Sequence, residues 1–200
     1  SLFGKSVEID KLLKNISPLN IRSEVINCDE EILMSDKPTD AIKLKKNSSM
    51  QLSIDHVSSG KSHAVLSCGN TGALMAISLL KLRTVASIKR PSIASIWPNI
   101  KGESIVLDLG ANIKNDSTSL VDNAILGSAL AKILLSKDEP SIGLLNVGIE
   151  EMKGNENVQK ASEVLTEMNN KKQLNYYGFI EGADISNGKT NVVVTDGFTG

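Results

Sequence analysis

Short apolar runs alternate along the chain with longer stretches in which apolar side chains recur at helical spacing. The runs are β-prone and end in glycine or polar residues, as buried strands commonly do. The pattern predicts strands at 64–67, 104–109, 142–147, 177–180 and 191–195, and helices at 7–14, 49–58, 73–82, 120–135 and after 155. Strands that alternate with helices form a parallel sheet covered on both faces, so we expect residues 1–200 to form a single α/β domain.

Glycine-rich and polar clusters directly follow the predicted strands. They comprise Gly69-Asn70-Thr71-Gly72, Gly110-Ala111-Asn112, Gly148 to Asn155, Glu181-Gly182 and Asp196 to Gly200. The carboxyl ends of parallel strands lie along one edge of a sheet, and open α/β folds bind ligands at that edge. The clusters therefore predict one shared site.

The residue types in these clusters suit an anion and a carbonyl group. Glycines leave main-chain N–H groups free to converge on an anion at the start of a helix. Lys153 adds a point charge, and neutral donors come from Asn70, Asn112 and Asn146. A structural interpretation stays open beside this one: the glycines serve turns, the asparagines brace loops, and Lys153 is a solvated residue before a helix.

Composition limits the other possibilities. The 22 lysines and arginines balance 23 aspartates and glutamates, so no overall basic field favours nucleic acid. No apolar run reaches the roughly 20 residues of a membrane span. Cys28 and Cys68 form neither a disulfide framework nor a zinc motif, so we expect a cytoplasmic protein. Residues 36–49 are lysine-rich and are interpreted as a solvated loop and helix start, or as a basic lip for an acidic partner.

Several catalytic devices are missing from the sequence. It has no nucleophile elbow, no phosphate loop of the GxxxxGK[ST] type and no GxGxxG fingerprint. Neither His56 nor His63 falls in a strand-end cluster, so a histidine base is not expected to activate Cys68. The carboxylates have no spacing diagnostic of Mg²⁺, and we predict neither a metal nor a cofactor. Such a site suits a nucleophile that arrives already charged, such as inorganic phosphate.

Six segments carry a family resemblance. SCGNTGALMA, KRPSIA, LDLGAN, GLLNVGIEEMKGNE, YYGFIEGADI and VVVTDGFTG resemble, in this order, the signature segments of the PlsX family of acyl-ACP:phosphate acyltransferases. The resemblance covers about residues 43–200. It implies a Rossmann-like three-layer α/β/α sandwich with a mostly parallel sheet, similar to phosphotransacetylase and isopropylmalate dehydrogenase.

The resemblance also implies an activity: transfer of a fatty acyl group from acyl carrier protein to inorganic phosphate, giving acyl phosphate for phospholipid synthesis. It implies a homodimer and, in some members, contact with the inner face of the cell membrane. Lys153 matches the lysine of the family's KGNE segment and is expected to be the catalytic cation. Substrate- or phosphate-binding roles are expected for Gly69, Asn70, Thr71, Gly72, Arg90, Asn112, Asn146, Glu151, Asn155, Asp196 and Gly197. For Arg90, a salt bridge is the alternative.

The sequence departs from the family pattern in places. Lys114 stands where the family often has aspartate, and Cys68 where it often has alanine. The family's amino-terminal DAMGGD segment and carboxyl-terminal helical part are absent, so we expect the natural protein to continue at both ends. Two other functions stay open at this point: an NAD-dependent dehydrogenase of similar fold, and a noncatalytic module that binds acyl carrier protein.

Overall fold

The computed structural model describes residues 1–16, 22–85, 87–112, 115–150 and 153–200. The chain divides into two compact units, Ser1–Ala86 and Ser87–Gly200. Each unit has its own hydrophobic core. The single α/β domain expected from the sequence stays a prediction.

The first unit is mainly helical. Its elements are β1 (Leu2–Gly4), α1 (Ser6–Leu13), β2 (Val25–Asn27), α2 (Pro38–Leu44), α3 (Ser49–Ser58) and α4 (Thr71–Leu82). β1 and β2 pair in parallel. The core packs Ala41 of α2 against Ile54 of α3 and Ile77 of α4. The predicted start of α3 is confirmed, since the Ser48 side chain accepts the N–H of Gln51.

Two sequence predictions in this unit are wrong. Residues 64–67 form no strand, and no strand in the described part of the chain pairs with them. A strand needs a neighbour to complete its hydrogen bonds, and Leu66 is 94% exposed instead of buried. Residues 38–44 form α2 and not a solvated loop, because Pro38 suits the first helical turn and Ala41 is fully buried.

The second unit is a sheet with helices on both faces. Its elements are β3 (Ala94–Asn99), β4 (Gly102–Leu107), α5 (Ser117–Leu134), β5 (Ser141–Leu145), α6 (Glu156–Asn170), β6 (Asn175–Ile180), α7 (Gly182–Ser186) and β7 (Val192–Val194). The strand order is β3-β4-β7-β5-β6. β4, β7, β5 and β6 run parallel, and β3 is antiparallel to β4.

Alternation along the strands separates two layers of core. Ile105 and Leu107 of β4 point towards α5 and α6. Val106 points to the other face, where it clusters with Val193 and Ile180 and where Ile185 of α7 packs. Successive side chains of a strand point to opposite faces of the sheet, so each face carries its own apolar cluster packed against helices. The predicted three-layer α/β/α fold is confirmed. The strands predicted at 104–109, 142–147, 177–180 and 191–195 are confirmed with shifted ends.

β3 was not predicted, and it forms one edge of the sheet. Ile105 N–H donates to Asn191 O, and Thr195 N–H donates to Leu107 O, both at 2.8 Å. These β4 residues therefore turn their main-chain groups towards β7, and the alternate residues of β4 face β3. Pro98 pairs with the β4 residue two positions before Ile105, which therefore also turns its main-chain groups towards β7. The main-chain groups of Pro98 accordingly point away from β4, in the outward-facing row of β3.

None of the helices described by the structure is both long and apolar enough to cross a membrane.

Candidate active site

The loop after β5 is fixed by Asn146. Its main-chain N–H donates to Ile180 O (2.9 Å), which continues the pairing of β5 with β6 by one residue. Its side-chain amide donates to Lys153 O (2.9 Å), and its side-chain oxygen accepts Val147 N–H (2.9 Å). Asn146 thus links the end of β5 to the main chain of Lys153, and its amide group is engaged within the protein.

Two glycines allow this loop to fold tightly. Gly154 has a φ of +95°, and a Cβ there would overlap the Asn146 side chain. A Cβ at Gly148 would lie 2.5 Å from Lys153 Cδ and 2.6 Å from a Glu150 carboxylate oxygen. The side chains of Lys153 and Glu150 therefore lie directly over the bare main chain of Gly148.

Lys153 is paired and partly exposed. Its Nζ lies 2.8 Å from Glu150 Oε1, and the two side chains are 49% and 60% exposed. The hydrogen bond to Glu150 raises the pKa of Lys153, with a further contribution from that carboxylate's charge. The same hydrogen bond lowers the pKa of Glu150. At neutral pH the loop therefore presents a cation beside a carboxylate.

Asp196 organises the loop after β7. Its carboxylate accepts the N–H groups of Phe198 and Thr199 at 2.9 Å and the Thr199 hydroxyl at 3.1 Å. Gly197 lies against the neighbouring loop, since a Cβ there would be 2.5 Å from Asn112 O. The loops after β7 and β4 are therefore in contact.

A fully buried carboxylate holds the loop after β4. Asp108 accepts N–H groups from Ile93 (3.1 Å), Ala111 (3.0 Å) and Asn112 (2.9 Å). The Asn112 side-chain amide donates to Asp108 Oδ2 (2.9 Å) and to Pro91 O (3.0 Å). Asp108 and Asn112 together join the segment before β3 to the end of β4.

A cavity of about 280 Å³ opens between the loops after β5, β6 and β7 and the start of α6. It brings together three predicted site residues: Asn146, Asn155 and Asp196. Asn155 caps α6 by accepting Val158 N–H (3.0 Å). Lys153 directly precedes Gly154, which lines the cavity. A helix N-terminus and a lysine are both suited to an anion.

The glycine loop at 69–72 belongs to the first unit. Asn70 caps α4 by accepting Ala73 N–H (3.0 Å), and its amide donates to the carbonyls of Leu33, Met34 and Asp36. Gly72 lies close to Pro38, since a Cβ there would be 3.2 Å from Pro38 Cγ. Thr71 is the first residue of α4 and is exposed. The convergence of this loop with Lys153 stays a prediction.

Arg90 and Glu151 complete the set of predicted site residues. Arg90 is exposed, and its charge is one minor cause of the lowered pKa of Asp116, after the hydrogen bonds from Ser119. Glu151 and Lys114 lie outside the described residues. Within the described ranges no group of three or more His, Cys, Asp or Glu side chains is placed to hold a metal ion.

A comparison with known families decides the affiliation of this chain. The family model described as fatty acid synthesis protein matches residues 1–200. The chain belongs to the fatty acid synthesis protein family. The resemblance carried by the strand-end segments is therefore confirmed.

Relatives within the fatty acid synthesis protein family carry the name phosphate acyltransferase. The one from Azorhizobium caulinodans is 46% identical over 200 residues, which are 100% of this chain and 56% of that protein. The one from Sinorhizobium fredii is 45% identical over 200 residues, again 100% of this chain, and 57% of that protein is covered. The chain thus spans a little over half the length of these relatives.

The fold has a counterpart among solved structures. EutD phosphotransacetylase from Staphylococcus aureus matches 96% of this chain and 68% of its own, with a TM-score of 0.63 and 16% identity. This likeness confirms the predicted phosphotransacetylase-like α/β fold for this member of the fatty acid synthesis protein family.

Two residues that shape these loops were missed in the sequence. Asp108 was not predicted as a site residue, and its carboxylate is occupied by main-chain N–H groups. An aspartate followed by a glycine-containing turn was the available signal, because such carboxylates often accept the next N–H groups. Thr199 lines the cavity, and its place within the DGFTG turn was its one indication.

Proposed function

We propose that the protein containing this chain transfers a fatty acyl group from the thioester of acyl carrier protein to inorganic phosphate. The observation that carries the proposal is the cationic Lys153, held by Asn146 and Gly148 beside a cavity at the N-terminus of α6. Family membership and the name of the relatives, phosphate acyltransferase, give further support.

Phosphate is the proposed occupant of the polar part of the site. Lys153 supplies a positive charge, and main-chain N–H groups at the first turn of α6 supply donors. Binding at these groups holds the phosphate against the thioester carbon and so replaces a bimolecular encounter by an oriented one.

An apolar rim supports an acyl co-substrate. Val147 lines the cavity and is 79% exposed, and Ile149 in the same loop is 60% exposed. Phe198 lies between the cavity residues Asp196 and Thr199 along the chain, and its side chain is 84% exposed. Large exposed apolar side chains are typical of binding surfaces, and a fatty acyl chain matches the chemistry of Val147 at the cavity and of its neighbours in the two loops.

The chemistry then needs no histidine base. An oxygen of the phosphate dianion attacks the thioester carbon, and the carbonyl becomes a tetrahedral oxyanion. Lys153 and nearby N–H donors stabilise that oxyanion, a contribution of roughly 3–4 kcal/mol per well-placed donor. When the carbonyl re-forms, the carbon–sulfur bond breaks, and the carrier thiol leaves as a thiolate. The products are acyl phosphate and free carrier protein.

The test is an assay of the full-length protein with acylated carrier protein and phosphate. We expect acyl phosphate to form only when both substrates are present, and we expect Lys153→Ala to abolish phosphate-dependent release of the carrier thiol. Lys171→Ala is a matched control, because Lys171 is also exposed and paired with a glutamate. Near-normal turnover by Lys153→Ala would remove this residue from its role, and product formation with nicotinamide cofactor instead would replace the proposal.

Assembly and location belong to the same proposal. We propose a cytoplasmic homodimer that works without a metal or cofactor and contacts the inner face of the cell membrane. The family resemblance supports this arrangement. Sedimentation of the full-length protein, with and without anionic lipid vesicles, measures both properties.

A further inference from the structure

The carboxylate of Glu150 is a ligand of Lys153 within the same loop. Glu150 Oε1 lies 2.8 Å from Lys153 Nζ. The main chain reinforces the pairing, since Lys153 N–H donates to Glu150 O at 3.0 Å. Glu150 and Lys153 are thus joined through both their main chains and their side chains.

The pair lies against the main chain of Gly148. A Cβ at residue 148 would lie 2.6 Å from Glu150 Oε2, 2.5 Å from Lys153 Cδ and 2.9 Å from Lys153 Nζ. Both charged groups therefore rest on the same piece of bare main chain. Other exposed pairs of this unit, Lys160–Glu156 within α6 and Lys171–Glu167 at its C-terminal end, instead join residues four positions apart.

A carboxylate and a phosphate offer a lysine the same kind of partner, an oxygen with negative charge. We propose that the Glu150 carboxylate is an internal ligand of Lys153 that inorganic phosphate displaces, so that Glu150 sets the affinity for phosphate. This inference rests on the proposed function, in which Lys153 binds phosphate. Because both side chains are about half exposed, the pair is weak enough for a dianion to displace it.

The displacement has the same consequence for every anion that binds Lys153. A phosphate dianion gains more from Lys153 than a monoanion does, because attraction scales with charge. Glu150 competes with each of these anions for the same cation and therefore lowers their apparent affinities by one common factor. Removing its charge should make the site tighter for phosphate and for monoanions alike.

The experiment compares Glu150→Gln with Glu167→Gln in the full-length protein. Both substitutions remove one charge from an exposed lysine pair of the same unit. For Glu150→Gln we expect the KM for phosphate to fall about two- to fivefold, the range that exposed ion pairs contribute. We also expect unchanged kcat and stronger inhibition by chloride or acetate. Glu167→Gln should match the wild type in all three measurements.

Two results would overturn the inference: a phosphate KM equal to that of Glu167→Gln, or a raised KM with lower kcat, which would make Glu150 a residue that orients Lys153. Failure of the proposed function is distinguishable, because the wild type would then form no acyl phosphate. Calorimetric titration of both variants with phosphate tests the inference without turnover. Tighter binding by Glu150→Gln is required, and equal binding contradicts it.

Discussion

The side-chain amide of Asn146 donates a hydrogen bond to the main-chain oxygen of Lys153 at 2.9 Å. The residue that follows β5 therefore fixes the segment that leads into α6. Any ligand bound through Lys153 depends on this contact, because the lysine's main chain has no regular secondary structure to hold it.

Replacing Asn146 by alanine should lower activity far more than stability. Without the amide, the Lys153 segment loses its fixed position, and misplacement by about 1 Å costs on the order of a hundredfold in rate. We expect kcat/KM for phosphate to fall by about ten- to a hundredfold. Asn175→Ala is the control, because it removes a similar amide-to-carbonyl bond, to Glu139 O (3.0 Å), at the start of β6. Equal activity of the two variants would contradict the role of Asn146.

A methyl group at Gly148 should displace Lys153 and Glu150. Its Cβ would lie 2.5 Å from Lys153 Cδ, and both side chains are flexible and exposed, so they can move away. We therefore expect Gly148→Ala to lose at least about tenfold in kcat/KM for phosphate with almost unchanged thermal unfolding.

Gly127→Ala is the control for Gly148→Ala, because it should lower stability and leave activity unchanged. Its Cβ would lie 2.5 Å from Val192 Cγ1 and 2.8 Å from Leu107 Cδ2, inside the core beneath α5. Overpacking costs about 1–3 kcal/mol, and the better helix propensity of alanine offsets up to about 1 kcal/mol. Denaturant unfolding should show a loss of stability, while the residual folded protein stays active. A stability loss in Gly148→Ala of the same size would refute the distinction.

Asp108→Asn should destabilise the second unit. The carboxylate is fully buried and accepts three main-chain N–H groups and the Asn112 amide. An asparagine places an NH₂ group where an acceptor is needed, and buried unsatisfied groups cost about 1–3 kcal/mol each. We expect a loss of about 3 kcal/mol in the free energy of unfolding.

The exposed Asp138 serves as the comparison for Asp108. Asp138→Asn should change the free energy of unfolding by less than about 0.5 kcal/mol. If the two variants unfold at the same denaturant concentration, the hydrogen bonds to Asp108 do not stabilise the loop after β4.

Asp116 should make stability depend on acid pH. Hydrogen bonds from the Ser119 N–H and hydroxyl lower the pKa of Asp116 in the folded chain, where it caps α5. Its stabilising contribution is therefore present above the unfolded pKa of about 3.9 and is lost as the pH falls through the folded value. Asp116→Ala should cost about 1 kcal/mol at neutral pH, and the difference from wild type should shrink below about pH 4.

A neutral cap distinguishes charge from capping. Ser48→Ala removes the cap of α3, which carries no charge, so its deficit relative to wild type should stay constant across the same acid range. Denaturant unfolding at several pH values measures both variants. A pH-independent deficit for Asp116→Ala would argue against the carboxylate's charge.

The strands in the interior of the sheet were predictable because buried strands consist of consecutive apolar residues. β5 and β7 read as apolar runs, and Ile142 and Val192 are fully buried. The same reasoning failed at residues 64–67, since an apolar run says nothing about whether a neighbouring strand exists. It also missed β3, whose residues are almost all exposed and carry no alternating pattern.

That some of the strand-end residues lie together was predictable, but the direction of their donors was not. The strand-end rule brought Asn146, Asn155 and Asp196 to one cavity. The amides of Asn70 and Asn112 bind main-chain carbonyls within the protein, and their availability to a ligand was not encoded in local sequence. Whether a side-chain amide is available to a ligand depends on hydrogen-bond partners that are distant in sequence, as Pro91 is from Asn112.

Pro98, in the outward row of β3, bears on how this protein behaves when crowded. An unpaired strand edge is a template on which another chain can extend a sheet, and this is a common start of aggregation. Proline offers no N–H at the position where an incoming strand would need a donor. The exposed Trp97 and Ile96 on the two faces of β3 therefore stand on an edge that resists adding a further strand.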